Sequence, residues 1–311
     1  RFEDGSLRLD NTKLIFALDE NGNPCDAFPY VTKAANHLVE EFMLLANRTV
    51  AKFIADCMPD CALLRRHPPP DPRKMEETLK FCQKHNLTLD TSSAGAMHRS
   101  LEAVRAAARA AGDDTVAEVL TLQATKPMQL AQYFCTKDFE ECSWRHFALA
   151  FPHYTHFTSP IRRYPDVIVH RQLAAALEAL GGSIGEVPAS VRGAHGLPSG
   201  ETVGHMSEHS NERKMAAKNA QEDSSRLFLC VMLRKHPAVS EAVLLNTGSK
   251  YMNAYLPEYG MECRIHIEDM HKDFNVQWNR NSEQVIIHPR KVEGKRDRDK
   301  KKNKSSRDKS A

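Results

Sequence analysis

The sequence predicts an α+β chain: a helix-rich body over residues 1–235, a small β-barrel over 238–290 and a disordered basic tail over 291–311. Three observations carry this. Apolar residues recur at helical spacing in several long stretches between residues 34 and 233. After His236-Pro237 the pattern changes to short alternating runs (EAVLLNT, YMNAYLPEYG, CRIHIEDM) separated by turn residues. The last stretch is low-complexity and basic, a composition that buries too little apolar surface to offset chain entropy.

In order along the chain, residues 6–20 alternate up to Asn21-Gly22-Asn23-Pro24, which reads as two short strands around a turn. Residues 34–56 form a helix whose inner stripe is Leu38, Phe42, Leu45, Ala46, Phe53 and Ile54. Asp71-Pro72 starts another helix, Asp as N-cap and Pro first, with Met75, Leu79 and Cys82 inside and Asn86 at the stop. Ala94–Ala111 is an Ala-rich helix broken at Gly112. Leu120–Phe134 reads as one or two helices interrupted near Pro127, and His146–Tyr154 as a strand or extended approach. Thr158-Ser159-Pro160 then opens a long helix to about Leu180, closed by Gly181-Gly182. Residues 183–202 are a surface loop, and Ser207–Leu233 is a long helix with Met215, Leu227, Phe228 and Val231 among its apolar positions.

The 311 residues carry 43 Lys+Arg and 40 Asp+Glu, and 41% are apolar. That composition fits a globular chain and excludes a collagen, a coiled coil and a disulfide-dense module. No apolar run approaches the roughly 20 residues of a membrane helix, so no membrane partner is expected. The start at Arg1, without initiator Met or signal sequence, reads as an internal fragment or a chain with a missing start. Charge is uneven: residues 290–311 hold eleven basic and four acidic groups, while residues 1–289 hold 32 and 36. Any nucleic-acid site in the body must therefore be a local groove. The eight cysteines form no CxxC pair and read as buried free thiols in a reducing compartment. His205 and His209 are four apart but lack the Glu of a HExxH motif, so no metal ligand is assigned to this chain.

The most informative stretch is HFALAFPHYTHFTSPIRRYPDVIVH at 146–170. With Thr158 or Ser159 as cap, Arg162 and Arg163 fall in the first turn of a proline-started helix. Cations are disfavoured beside the partial positive charge of a helix N-terminus, unless a phosphate occupies the position. His153, Tyr154, His156, Phe157 and Tyr164 flank the arginines, and guanidinium beside stackable rings is a combination that holds single-stranded nucleic acid. A capped helix with two solvated or salt-bridged arginines is the plainer alternative. Asp166 and His170, one turn apart, read as a pair. Arg65 and Arg66 line an RNA path or form a solvated turn; Lys218 and Glu222 read as scaffold.

This stretch resembles the signature of the ribonuclease II/R (RNB) family of exoribonucleases. LVEEFMLLAN at 38–47, CALLRRHPPP at 61–70, TSSAGAMHRSL at 91–101, KPMQLAQYFC at 126–135 and NERKMAAKNAQE at 211–222 are similar to its eukaryotic cytoplasmic branch. The resemblance is good over residues 1–235, a partial catalytic domain, and weak over 240–290, where it suggests a shortened S1-like OB barrel. It implies a cytoplasmic, monomeric 3′→5′ enzyme that hydrolyses single-stranded RNA processively to nucleoside 5′-monophosphates, with 3′-uridylated RNA as a substrate class. The chemistry implied is two-metal hydrolysis with Mg²⁺, Mn²⁺ being the alternative ion. The family's aspartate cluster has no counterpart here: Asp4, Asp10, Asp19 and Asp26 are scattered. The metal ligands are therefore expected upstream of this chain and the isolated fragment is expected to be inactive, which leaves a non-catalytic RNA-binding fragment as the second reading.

By the same resemblance, Arg162 is the catalytic arginine that binds the scissile phosphate, with Arg163 a supporting charge. Glu40 matches a carboxylate that contacts the 3′-terminal ribose, and Glu41 beside it is the open alternative. Phe2 aligns with a base-stacking phenylalanine. Tyr154 and His156 complete the expected RNA contacts.

Overall fold

The computed structural model describes residues 1–9, 12–271, 273–280 and 284–289, so the expected tail at 291–311 lies outside the described residues. It divides into two units, Arg1–Val239 and a second that begins at Ser240.

In the first unit, strands β1 (Leu14–Leu18) and β2 (Pro24–Pro29) pair antiparallel across the Asn-Gly turn. Asp19 Oδ1 accepts from the Asn21 and Asn23 N–H groups at 2.9 and 2.8 Å, and Gly22 takes the φ of +77° that the turn requires. Helix α1 (Ala34–Cys57) follows. Its buried face is Leu44, Asn47, Val50, Ala51, Ile54, Ala55 and Cys57. The expected inner stripe is partly wrong: Leu38, Phe42 and Leu45 are 61%, 67% and 60% exposed. At 3.6 residues per turn these three lie opposite the Leu44–Asn47–Ala51–Ile54 row. The helix is apolar on two faces, and periodicity alone does not say which one the core takes.

Strand β3 (Leu63–Arg66) lies where the sequence offered only a turn or RNA-path reading. Helix α2 (Pro72–Lys84) is capped by Asp71, whose carboxylate accepts from Lys74 N–H at 3.0 Å; Asn86, two residues past its end, takes φ +54°. Helix α3 (Ala94–Ala111) starts on the Ser93 hydroxyl and stops at left-handed Gly112. Helix α4 (Thr115–Thr125) stops before Pro127, and strand β4 (Gln132–Cys135) follows. The helical reading of residues 120–134 is therefore corrected beyond Thr125. Tyr133, Phe134 and Cys135 pair with β3, from Leu63↔Cys135 to Arg66↔Gln132, and are buried. Helix α5 (Tyr164–Leu180), short helix α6 (Ala189–Ala194) and helix α7 (Gly200–Lys235) complete the unit. The expected loop at 183–202 thus contains α6 and the start of α7.

The main core gathers Ile54 and Met58 around Leu63, Leu64, Phe134, Ile168, Val169 and Val203, joining α1, the β3–β4 pair, α5 and α7. A second cluster joins α2, α3 and α4 through Met75, Cys82, Met97, Leu101 and Leu120. Two buried or half-buried amides close the open edges of the β3–β4 ribbon. On the β3 side, Gln172 of α5 accepts from Leu63 N–H at 3.1 Å and donates to Cys61 C=O at 2.6 Å. On the β4 side, Asn211 of α7 accepts from Tyr133 N–H at 2.8 Å and donates to Tyr133 C=O at 2.9 Å. Each amide supplies the donor–acceptor pair that a neighbouring strand would supply.

The second unit holds an antiparallel meander of β5 (Val243–Thr247), β6 (Tyr251–Leu256) and β7 (Met261–His266). A short helix α8 (Ile267–Met270) leads into the hairpin β8 (Phe274–Asn279) and β9 (Gln284–Pro289). Met252, Ala254, Tyr255 and Ile267 are its buried residues of note. Among the cysteines, Cys57, Cys61, Cys82 and Cys135 are buried free thiols, with burial pushing Cys61 up to about 12. The buried reading fails for Cys25, Cys142 and Cys230, which are exposed.

Replacing Gln172, which is 1% exposed, by Leu keeps the volume but strands one N–H and one C=O. Each buried unpaired group costs about 1–3 kcal/mol. The urea midpoint of Gln172→Leu should fall accordingly with an unchanged m-value; an unmoved midpoint would show that the edge needs no amide.

Candidate functional site

Residues 154–163 run from the edge of β3 to the start of α5, and three elements hold them in place. Arg65 N–H donates to Tyr154 C=O at 2.7 Å, and Thr155 Oγ1 donates to Leu63 C=O at 2.8 Å, which lays the segment against β3. From α1, Asn47 Oδ1 accepts from the N–H groups of Phe157 and Thr158 at 2.9 and 3.2 Å, and its Nδ2 donates to Tyr154 Oη at 3.2 Å. From α5, the fully buried Asp166 carboxylate accepts from Ser159 N–H and from Arg163 Nη2, both at 2.7 Å. His170 Nε2 reaches Phe157 C=O at 2.8 Å, and its ring stacks on Phe157 at 4.2 Å.

Several expectations change here. The helix begins at Tyr164, with Pro165 in its first turn, so Arg162 and Arg163 precede it and neither Thr158 nor Ser159 caps it with a side chain. Pro160 instead sits in a turn closed by Arg162 and Arg163 N–H groups donating to Ser159 C=O at 3.3 and 3.1 Å. Asp166 serves Arg163 and the turn, and His170 serves Phe157; they do not pair. An acidic residue in the first turn suits the helix dipole and neutralises one of the two arginines. Arg163 is thereby tied down. The Arg162 guanidinium makes no hydrogen bond or ion pair among the described residues and projects into a cleft of about 870 Å³.

The opposite wall of that cleft is α7. Ser210, Lys214 and Lys218 are one turn apart, as are His209 and Arg213, so they share the face that Asn211 fixes against β4. Lys218, read as scaffold from sequence, lines the cleft. Below, Arg65 is half-buried, its Nη1 2.5 Å from His156 Nε2, while His156 Nδ1 lies 2.6 Å from Tyr133 Oη. A cation at Nε2 requires that nitrogen to accept, which places the imidazole proton on Nδ1. Burial first, then Arg65 and Arg163, hold His156 far below its ordinary range and therefore neutral. Burial, then the same two guanidiniums, push Lys214 down to about 7. Burial raises Tyr133 and Tyr154, so both stay protonated. Three buried polar atoms of the turn, Thr158 Oγ1, Arg163 Nε and Asp166 Oδ2, have no partner among the described residues. Cations crowd this cleft with Asp166 as the carboxylate beneath them, an arrangement whose field favours an anion.

A second cavity, of about 340 Å³, lies beside Arg163 and brings Glu40, Asn47, Tyr154 and Thr158 together. Glu40 stands 3.6 Å from Arg8 and 3.4 Å from His37. Its neighbour Glu41 is gripped by Arg1 through both Nε and Nη2. Of the two carboxylates, Glu40 is thus the one at the cavity. Phe2 lines neither cavity: it stacks on His98 at 4.7 Å, with Arg1 and Arg8 over its ring. Tyr154 and His156 are buried and hydrogen-bonded, so they shape the site and do not offer a stacking face; Tyr164, 57% exposed at the cleft, does. Sequence reasoning missed Arg213 and Lys214, although their spacing with His209, Ser210 and Lys218 was readable. Among the described residues no group of three or more His, Cys, Asp or Glu side chains could hold a metal ion, and no helix is long and apolar enough to cross a membrane.

The family model described as RNB domain matches residues 1–179. DIS3-like exonuclease 2 of Arabidopsis thaliana is 41% identical over 303 residues, covering 87% of this chain and 28% of the relative. A protein of the same organism named Inactive exonuclease DIS3L2 shows the same 41% identity and the same coverage. The chain therefore spans little more than a quarter of the length of these curated relatives. Among solved structures, Mycoplasma genitalium RNase R in complex with ribose methylated single-stranded RNA superposes with a TM-score of 0.69 at 21% identity. That match covers 94% of this chain and 42% of the other, and establishes the fold.

The Lys214 shift has a sign. In the unfolded chain this ammonium titrates near 10.5, and in the folded chain near 7. Between those values the unfolded state binds more protons, so Lys214 penalises folding fully below about pH 7 and progressively less as pH rises toward 10. Thermal melts of wild type and Lys214→Met should differ most at the acid end of that window and converge at the alkaline end. A constant difference would contradict the assigned shift.

Proposed function

This chain belongs to the RNB-domain family, and on that premise we propose that it is the RNA-gripping part of a 3′→5′ exoribonuclease acting on single-stranded RNA. The carrying observation is the unpaired Arg162 guanidinium in the cationic cleft, held there because Asp166 commits Arg163 and the turn backbone. A guanidinium so placed grips a phosphodiester by its fork and steadies the charge that grows on the phosphoryl oxygens as the P–O bond to the departing nucleotide's 5′ neighbour breaks. Glu40, at the second cavity with Tyr154, accepts from the 2′-hydroxyl of the terminal ribose, which would favour RNA over DNA.

Phosphodiester hydrolysis in this reading uses divalent ions, Mg²⁺ or Mn²⁺. The described residues contain no cluster that fits such an ion, so no step is assigned to metal here. The products are nucleoside 5′-monophosphates released processively, the substrates include 3′-uridylated RNA, and the setting is cytoplasmic RNA decay by a monomer. A second reading, RNA binding without cleavage, is favoured by the relative named inactive and by the absence of an acidic cluster among the described residues.

In a longer, cleavage-competent polypeptide that contains these residues, Arg162→Ala should lower single-turnover hydrolysis by about 10²–10³-fold, the usual cost of losing one charge-stabilising donor. Binding of the same RNA should change only a few-fold. Unchanged turnover would defeat the nuclease reading. The 311-residue chain itself should bind single-stranded RNA in a salt-dependent way and release no mononucleotide with Mg²⁺. Mononucleotide release by the purified chain would show that the metal site lies within it.

A further inference from the structure

The α7 wall of the cleft is not explained by the Arg162 turn. Asn211 locks α7 to β4 through two hydrogen bonds, so the face bearing Lys214 is rigidly presented. Lys214 Nζ sits 5.8 Å over the Tyr133 ring, makes no ion pair or hydrogen bond among the described residues, and belongs to an exposed residue on the cleft wall. Arg213 stands beside it without an ion pair among the described residues, and Lys218 one turn on is 3.7 Å from Glu222. Asp166 forms no ion pair with them: it is fully buried, and its Oδ1 holds Ser159 N–H and Arg163. An uncompensated ammonium held beside two arginines is unfavourable in the empty cleft and becomes favourable when an anion enters.

We propose that Lys214, flanked by Arg213 and Lys218, forms a second phosphate subsite on α7, facing the Arg162 turn across the cleft, so that the backbone of one RNA strand is held from both sides. This rests on the RNA reading above and adds a positioning residue to it: Lys214 holds a phosphate away from the bond that breaks. The groups facing Lys214 are Arg65 from β3, Tyr133 from β4, His156 and Arg163 from the segment before α5, and Lys218 from α7 itself. Tyr133 and His156 do not change charge near neutrality. RNA that contacts Lys214 therefore restores its proton, and binding takes up about one proton in neutral to mildly alkaline solution.

The test uses the intact chain and a short 5′-labelled oligouridylate, with affinity read by fluorescence anisotropy against salt and against pH from about 6.5 to about 9. An H209Q background removes the imidazole on the same helix face. Lys214→Met should weaken binding about tenfold and reduce the log–log salt slope by about 0.7, the value for one phosphate contact on a single strand. Lys214→Arg should restore affinity and slope yet abolish the pH dependence, because arginine stays charged throughout. A Lys214→Met chain with the wild-type slope and pH profile would overturn the subsite while leaving the RNA reading intact. If the wild-type chain binds no RNA, the RNA reading falls, and NMR of the Lys214 ammonium with inorganic pyrophosphate decides the subsite alone. A rise of its pKa toward the ordinary lysine range supports it, and an unmoved titration overturns it.

Discussion

A two-stranded ribbon has two unsatisfied edges, and the way this chain closes them determines everything at the cleft. Gln172 caps β3 and Asn211 caps β4, each by a paired donor and acceptor. Those four hydrogen bonds tie α5 to one edge and α7 to the other. Because α5 carries Asp166 and α7 carries Lys214, the same bonds set the turn and the basic helix face on the two sides of one groove. The ribbon also sorts its own arginines. Alternation along β3 sends Arg65 toward His156 and Tyr133, and Arg66 to the other side, over Phe139 at 4.1 Å.

Charge then divides labour between neighbours that look equivalent. Arg162 and Arg163 are adjacent, yet one carboxylate at the helix start makes Arg163 structural and leaves Arg162 available. Glu40 and Glu41 are adjacent, yet Arg1 occupies Glu41 and leaves Glu40 at the cavity. In the first pair the unpaired Arg162 lines the larger cleft; in the second, Glu40 lines the smaller cavity while still within 3.6 Å of Arg8 and 3.4 Å of His37. The polar atoms left unpaired at the turn fit a segment whose geometry is set by what it must hold.

Local signals were legible wherever they were chemical. Asp71 with Pro72, the Asn21-Gly22 turn and Gly112 each name a start or a stop, and the elements follow them. What failed was what depends on partners. Residues 132–134 read as helix because a strand of four residues carries no periodicity of its own, and β3 supplies its reason to exist. Pro160 looked like a helix start, but Pro165 is the proline in the first turn of α5, since Asp166 needs Ser159 N–H outside the helix. The Leu38–Phe42–Leu45 row of α1 recurs at helical spacing yet is exposed, because the helix carries a second apolar row that the core takes. At the site, the motifs single out Arg162 and Glu40, each of which lines a cavity, whereas Tyr154 and His156, expected to contact RNA, are buried and hydrogen-bonded because their neighbours, not the motif, decide their exposure.

The central claim is that single-stranded RNA lies between the turn at 158–163 and the basic face of α7. Photocrosslinking with a short oligonucleotide containing 4-thiouridine, followed by mass spectrometry of the digested chain, tests it most directly. The account predicts adducts on the peptides that carry Tyr164 and residues 209–221, lost when unlabelled RNA competes. Adducts confined to α2 and α3, with none on those peptides, would contradict it.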